Sequence, residues 1–174
     1  NVKSVKFEGK VEKIKDEAFI GCNKLETAEL PDSIKEIGKS AFDGCSNLMN
    51  TNLPKEVKEV GDSAFKGCEK ISSIKFGSNI TKIGKNAFDG VKGVTEITIP
   101  ENVEEIGYNA FGNCSGLKRV VVNANLTGED KAFEGAGTEG IEVTYGEGVT
   151  SIGPLFVKSN VKNVKIPEGV ERIK

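Results

Sequence analysis

The dipeptide Ala-Phe recurs through this sequence at a nearly constant interval. Successive phenylalanines of this column are 23 residues apart, except for one interval of 22 between Phe111 and Phe133. The copies are Ala18-Phe19, Ala41-Phe42, Ala64-Phe65, Ala87-Phe88, Ala110-Phe111 and Ala132-Phe133, and Leu155-Phe156 closes the series. A fixed period of this length predicts a stack of similar units that together bury one continuous core.

Two further columns keep the same period. Five positions before the phenylalanine stands a β-branched residue followed by glycine, as in Ile37-Gly38, Val60-Gly61, Ile83-Gly84 and Ile106-Gly107, with a weaker copy at Ile14-Lys15 and a copy displaced by one residue at Ile152-Gly153. Three positions after the phenylalanine stands a small residue: Cys22, Cys45, Cys68, Val91, Cys114, Ala136 and Ser159. Three aligned columns predict that like residues stack over like residues in a repeat solenoid.

Each unit also contains a stretch of the form apolar-x-x-apolar-x-apolar, which in most copies precedes Pro or Gly. The copies are residues 2–7, 25–30, 48–53, 71–76, 94–99, 117–122, 140–145 and 161–166. In the second copy, alternation places Ala28 and Leu30 inward and Thr27 and Glu29 outward, as in a half-buried strand. The pattern predicts eight parallel strands in one stacked sheet on one face of the solenoid.

The rest of each unit predicts a short second strand, a glycine turn and a short helical turn. In one unit these are Ile34 to Ile37, Gly38, and Ser40 to Asp43, with Gly44 as a left-handed cap. The residues before Ala-Phe in four units are expected to be helix N-caps, namely Ser40, Ser63, Asn86 and Asn109. The predicted class is therefore a repeat solenoid that is mainly β with some helix.

The consensus Ile-Pro-x-x-Val-x-x-Ile-Gly-x-x-Ala-Phe-x-x-Cys-x-x-Leu, present from Ile99 to Leu117, resembles the BspA-like leucine-rich repeat. The resemblance covers essentially the whole chain, although Pro or Gly replaces the buried Asn of the common leucine-rich pattern. It implies a leucine-rich repeat fold and a bacterial or protist cell-surface or secreted protein, often an adhesin-like binder of host or matrix proteins. It implies no catalytic residue.

Composition narrows the function classes. The formal net charge is -2 and histidine is absent, so the chain lacks both a basic field for nucleic acid and the commonest general base and metal ligand. No apolar run approaches the roughly 18 to 20 residues of a membrane helix, so we expect no membrane insertion of this segment. We therefore expect no enzyme activity, no cofactor and no metal.

Two patterns could indicate a chemical site. The cysteine column could indicate disulfides or zinc, and a glycine string could indicate a dinucleotide site, but the repeat disfavours each of them. Cys22, Cys45, Cys68 and Cys114 share a column with Val91, Ala136 and Ser159, so small buried free thiols are favoured over disulfides, and a spacing of 23 without histidine matches no zinc pattern. Residues 135–140 satisfy G-x-G-x-x-G, but they run into a predicted strand where a dinucleotide site needs a helix. A glycine-rich loop in an irregular unit is the favoured interpretation.

Other polar motifs are weaker indications of a functional site. Asn79-Ile-Thr81, Asn113-Cys-Ser115 and Asn125-Leu-Thr127 are glycosylation sequons only in a eukaryotic secretory pathway. The pairs Glu104-Glu105 and Glu129-Asp130 could be proposed as an acid and a base, but the sequence shows no partner that would shift the pKa of either member. Solvated charge is the favoured interpretation for both pairs.

The outward strand positions are the candidate partner-binding face, because a solenoid arranges them in columns on one extended surface. The candidate residues are Thr27, Glu29, Asn50, Asn52, Ser73, Lys75, Glu96, Thr98, Arg119, Val121, Glu142 and Thr144. One column begins at Ser4 and ends at Asn163, and the other begins at Lys6 and ends at Lys165. The face is polar and mixed, with few aromatic side chains of the type that dominate binding energy.

Three function classes remain open: a protein or glycan binder that uses the strand face, a structural spacer that displays other domains, and, more remotely, an enzyme or cofactor protein. Residues 1–174 are expected to form a single solenoid of about seven and a half coils, without partner subunits. Because Val2 begins directly in a strand pattern and the consensus stops in mid-coil at Lys174, we expect a fragment of a longer surface protein. The alternative is that the last half-coil is a natural cap.

Overall fold

In a computed structural model of the chain, residues 2–126 and 131–173 are described, with the side chain of Thr51 left out. They form a parallel β-solenoid of about seven turns. Most turns have a strand on one face, a short strand on a second face and a turn segment on a third. Every strand pairing that the described residues show is parallel, because each coil lies directly over the one before it.

The first face holds the eight predicted strands, each shorter than its sequence pattern. They are β1 (Ser4–Lys6), β3 (Thr27–Glu29), β5 (Thr51–Asn52), β7 (Ile74–Lys75), β9 (Glu96–Ile99), β11 (Arg119–Val122), β12 (Ile141–Tyr145) and β14 (Val161–Lys165). In β9 exposed and buried residues alternate, with Ile97 and Ile99 inward. The two-residue period of the sequence therefore identified the face and its inward side correctly.

The prediction of one continuous sheet on this face is wrong. Backbone pairing joins β1 to β3, β5 to β7, and β9 through β11 and β12 to β14, with interruptions between β3 and β5 and between β7 and β9. Asn50 directly precedes β5, Asn52 ends it, and Ser73 directly precedes β7. Short polar side chains of this kind compete for backbone hydrogen bonds and disfavour extended strands. The longer strands β11 and β12 are rich in β-branched residues, which favour them.

The second face carries the short strands of the repeat. They are β2 (Lys13–Ile14), β4 (Glu36–Ile37), β6 (Glu59–Val60), β8 (Lys82–Ile83), β10 (Glu105–Ile106), β13 (Ser151–Ile152) and β15 (Arg172–Ile173). The first five form one sheet in the order of the chain, and β13 pairs with β15. Residues 127–130 separate the two groups in sequence and lie outside the described part.

The predicted helical turns on the third face are wrong, since the described residues contain no helix. Alternate backbone N–H groups leave their own coil: Ser40 and Phe42 donate to the carbonyls of Asp62 and Ala64 in the next coil, at 2.8 and 2.7 Å. The N–H groups between them close tight turns within the coil, as from Ala41 to the carbonyl of Gly38 at 3.3 Å. A helix needs consecutive residues with φ of about −60°, and Ser40, with a φ of 50°, limits this segment to isolated turns.

The prediction of helix N-caps is also wrong for the four residues Ser40, Ser63, Asn86 and Asn109. Their φ angles are 50, 55, 53 and 57°, in the left-handed region, whereas an N-cap residue is extended. They reverse the chain at the entry to the third face. The expectation for Gly44 is confirmed in conformation, since its φ is 75°, although it follows a turn and not a helix.

The phenylalanine column forms a continuous ladder through the core, as predicted. Neighbouring rings are stacked, with centroids 5.1 Å apart between Phe42 and Phe65 and 5.3 Å apart between Phe65 and Phe88. The five inner rings are almost fully buried, whereas Phe19 and Phe156 at the two ends are half-buried. The aligned columns therefore predicted the core correctly.

Candidate functional site

The strand face arranges its outward side chains in two columns. In the observed register Glu96 pairs with Arg119 and Arg119 with Glu142, while Thr98, Val121 and Thr144 follow one another in the second column. Neighbouring side chains of a column are therefore about one strand spacing, roughly 4.8 Å, apart. The face offers a regular polar surface that runs along the axis of the solenoid.

The structure brings the twelve candidate residues to this one face. Nine of them are exposed: Glu29, Asn50, Asn52, Ser73, Lys75, Glu96, Thr98, Arg119 and Glu142. The other three, Thr27, Val121 and Thr144, are half-buried between their neighbours. All twelve positions are geometrically able to meet a partner, and their role in binding stays a prediction.

Charge is unevenly distributed along the strand face. Arg119 donates from Nη2 to Oε2 of Glu96 at 2.6 Å, and this hydrogen bond, together with the nearby carboxylate, raises the pKa of the Arg119 side chain. Lys75, in the neighbouring column, forms no ion pair with any described residue. The charges of Glu96 and Arg119 therefore compensate each other, whereas the ammonium group of Lys75 is accessible to a partner.

A groove crosses the strand face where the sheet is interrupted between β7 and β9. It has a volume of about 500 Å³. Its lining consists of Ser73, Ile74, Lys75, Phe76, Glu96, Thr98 and Pro100. Four of these are candidate residues, so the face predicted from the sequence contains a real concavity. The sequence signals that could have located it were the serines of this coil and the aromatic residue Phe76 at an aliphatic position.

The five-stranded sheet of the second face, formed by β2, β4, β6, β8 and β10, is called the second sheet below. It differs from the strand face because the charges of its side chains are largely compensated. Lys13 pairs with Glu36 at 2.5 Å, and Lys82 lies between Glu59 and Glu105, with Nζ to carboxylate distances of 4.0 and 3.4 Å. Each pair joins adjacent coils. Exposed pairs of this kind contribute roughly 0 to 1 kcal/mol each. They act mainly to match one coil to the next.

Sequence reasoning missed a cluster on the third face. The hydroxyl of Tyr108 donates to Oε2 of Glu134 at 3.0 Å, and Lys158 pairs with the same carboxylate at 3.2 Å. These bonds lower the pKa of Glu134, the tyrosine hydrogen bond having the larger effect, and the same bond raises the pKa of Tyr108. Three coils are linked by side chains that are distant in sequence, which explains why no local motif revealed them.

The other polar motifs do not assemble into a chemical site. Glu105 is paired with Lys82, and its neighbour Glu104 is exposed, while Glu129-Asp130 and Thr127 of the third sequon lie outside the described residues. Strand β12 follows the glycine-rich loop 135–140 directly. Among residues 2–126 and 131–173, no three Cys, Asp or Glu side chains are grouped so as to hold a metal. The same residues include no helix long and apolar enough to cross a membrane.

The four cysteines are free thiols, and three are buried, as their column predicted. Sequence reasoning missed their hydrogen bonds: Cys45 and Cys68 donate from Sγ to the carbonyls of Phe19 and Phe42 in the preceding coil, both at 3.1 Å. Burial raises the pKa of Cys45 and of Cys114 to about 12, and that of Cys68 further. The thiolate, which is the reactive form, is therefore strongly disfavoured at these three positions.

We expect alkylation to separate Cys22 from the other three cysteines. In the folded protein at pH 8, iodoacetamide should modify the half-buried Cys22 first and leave the buried thiols largely unmodified, whereas all four should react in guanidinium chloride. Peptide mass mapping gives the extent at each site. Rapid modification of Cys68, or a mass deficit of two hydrogens per bridge in the unreduced protein, would contradict the buried free thiols.

Comparison with known proteins gives a consistent picture. The BspA type leucine rich repeat region matches the chain in six copies, over residues 1–118 and 81–174. A leucine rich repeat protein of T. pallidum is 31% identical, with a TM-score of 0.70, and the match covers 88% of this chain and 77% of that one. A leucine-rich repeat protein from Bacteroides ovatus is 29% identical, with a TM-score of 0.77, covering 97% of this chain and 45% of that one.

A more distant structure shows the fold alone. The pneumococcal vaccine antigen PcpA is 20% identical, with a TM-score of 0.56, and the match covers 97% of this chain and 49% of PcpA. The chain thus spans less than half the length of PcpA and of the Bacteroides ovatus protein. No sequence among the curated proteins matches the chain significantly.

Proposed function

Because the chain belongs to the BspA-type leucine-rich repeat family, we propose that it is a cell-surface interaction module that binds a protein, or a glycan, through its strand face. Leucine-rich repeat solenoids are typically scaffolds without catalytic activity and generally bind proteins. The binding surface consists of the two outward columns and includes the twelve candidate residues. The activity is adhesin-like, and the location on the cell surface, or as a secreted protein, follows from what the family resemblance implies.

The observation that carries the proposal is the contrast between the strand face and the second sheet. On the strand face nine of the twelve candidate side chains are exposed, and one of them, Lys75, has no ion pair among the described residues. On the second sheet the charged column is occupied by pairs between coils. A partner therefore displaces fewer internal contacts on the strand face, which lowers the desolvation cost of binding there.

The strand face can be tested with two double variants of equal charge change. Glu29→Arg with Glu142→Arg alters the strand face, and Glu59→Arg with Glu105→Arg alters the second sheet. Each protein is applied to an array of purified extracellular matrix proteins and to a glycan array. We expect the strand-face variant to lose binding to the protein or glycan that the unaltered chain captures, and the second-sheet variant to retain it, with thermal melts showing that both are folded.

The result also separates binding from the spacer function. Equal loss of binding in both variants would indicate nonspecific charge effects. Loss of binding only in the second-sheet variant would place the binding surface on the second sheet. Either result would overturn the proposal. Absence of binding by the unaltered chain on both arrays would favour the structural spacer.

A further inference from the structure

We propose that the groove between β7 and β9 is an anchor point for an extended polypeptide segment that presents an apolar side chain next to a carboxylate. The apolar side chain enters the groove, and the carboxylate pairs with Lys75. This inference rests on the proposed function, since it names the class of partner and the contact point on the strand face. It assigns particular roles to Lys75 and Phe76.

The groove exists because the strand ladder fails at this step of the stack. β7 is two residues long and pairs only with β5, whereas β9 is four residues long and pairs only with β11. Outward side chains from the two strands, Lys75 and Glu96 among them, therefore line opposite sides of a depression. The volume of this open depression is about 500 Å³.

Phe76 and Pro100 are apolar residues among those that line the groove. The ring of Phe76 is half-buried and meets the rings of Phe88 and Phe111 edge to face, with centroid distances of 5.8 and 6.2 Å and interplanar angles of 83°. Because two neighbours in the ladder hold it, this ring is fixed in place before a partner arrives. A preformed apolar surface binds an apolar side chain without an ordering cost.

The charges around the groove favour a carboxylate. Glu96 is held by Arg119 at 2.6 Å, so its negative charge is already compensated. Lys75 is exposed and has no ion pair among the described residues, so its ammonium group is the cation that a ligand meets. A single cation beside apolar lining residues matches an acidic residue next to an apolar one, a combination that a polypeptide supplies within two residues and a neutral glycan does not.

Selection from a displayed library of random heptapeptides tests the proposal. The unaltered protein is immobilised, and enriched sequences are synthesised with a fluorophore for affinity measurements by anisotropy. We expect enrichment of an apolar residue beside Asp or Glu. Lys75→Glu should weaken binding of these peptides by about tenfold or more, because attraction becomes repulsion. A peptide with Lys in place of its acidic residue should then bind the Lys75→Glu protein better than the unaltered one.

Lys66→Glu is the matched control, since Lys66 is an exposed lysine in a turn segment of the third face, outside the proposed binding surface. It should leave the affinity within about twofold, because beyond a Debye length of roughly 10 Å charges are largely screened. Phe76→Leu is a second test variant. Leu53 occupies the equivalent position one coil earlier, so we expect this substitution to preserve folding. This variant should weaken the apolar contact while keeping the preference for acidic peptides.

Each other outcome overturns the inference. Enriched peptides without an acidic residue, equal affinity for the Lys75→Glu protein, or an absence of enrichment would remove the groove as the anchor. If the strand-face double variant loses its array partner while Lys75→Glu keeps it, the proposed function stands and this anchor fails. If the array partner proves to be a neutral glycan, the polypeptide class is wrong.

Discussion

Replacing Phe65 by alanine is expected to lower the free energy of unfolding by about 3 to 5 kcal/mol, because it leaves a cavity in the middle of the ring ladder. Phe65 is 1% exposed and is stacked on both sides, against Phe42 and Phe88. Fixed coils above and below cannot close the space without breaking backbone hydrogen bonds between coils, such as that from Phe65 N–H to the carbonyl of Ala87 at 2.7 Å. Urea unfolding followed by circular dichroism measures the loss.

Phe19→Ala provides the comparison within the same column. Phe19 is half-buried in the first coil and stacks only against Phe42, with a T-shaped contact to Phe7 on its other side. Stability in a repeat stack is nearly a sum of nearest-neighbour terms, so a terminal coil can fray while the others stay folded. The Phe19 variant should therefore lose clearly less stability. Equal losses for the two variants would be inconsistent with coils that interact mainly with their neighbours.

Sequence periodicity was sufficient to predict the features that depend on one coil lying over another. The Phe65 column, the small-residue column of Cys68 and the outward columns of the strands all rest on a period that every coil must satisfy. Stacking imposes the same environment on the same position in each coil, which makes the pattern visible without an alignment. The family resemblance followed from the same columns.

The features that sequence reasoning missed depend on competition for backbone groups. A helical turn at Ser40 to Asp43 is reasonable from local patterns, but Ser40 has a left-handed φ of 50°, and its N–H group bonds to the next coil, which no single coil reveals. The interruption beside β7 is of the opposite kind, because one coil departs from the repeat. Ser73 directly precedes β7 and disfavours an extended strand there, and Asn50 and Asn52 do the same at the other interruption, between β3 and β5.

The candidate site was predicted only in part from the sequence. The outward residues were placed correctly on one face, because alternation along a strand fixes the side to which each residue points. The groove could not be predicted, since it requires both the interruption of the sheet and the position of Phe76 relative to Phe88 and Phe111. Those rings belong to different coils, and their angles depend on packing.

The sequence predicted that the glycine of the Ile-Gly column serves a turn. The structure gives this glycine a different role. Gly38, Gly61, Gly84 and Gly107 all lie outside the left-handed region, so conformational freedom does not require glycine there. The requirement is space. A Cβ atom at Gly84 would lie 2.5 Å from the backbone nitrogen of Asp62 and 2.6 Å from the carbonyl carbon of Gly61, both in the preceding coil.

Gly84→Ala is therefore expected to lower the free energy of unfolding by about 3 kcal/mol, at the upper end of the usual cost of overpacking, because backbone atoms must move apart and the coils separate. Gly148→Ala is the matched control: nothing lies within 4 Å of its added Cβ, and its φ is outside the left-handed region. That variant should gain about 0.4 to 1 kcal/mol, since alanine restricts the unfolded chain. Parallel urea titrations of the two proteins give both values. A Gly84→Ala protein as stable as the Gly148→Ala protein would show that the coils can separate at little cost, and that close packing of backbone on backbone is not what maintains glycine in this column.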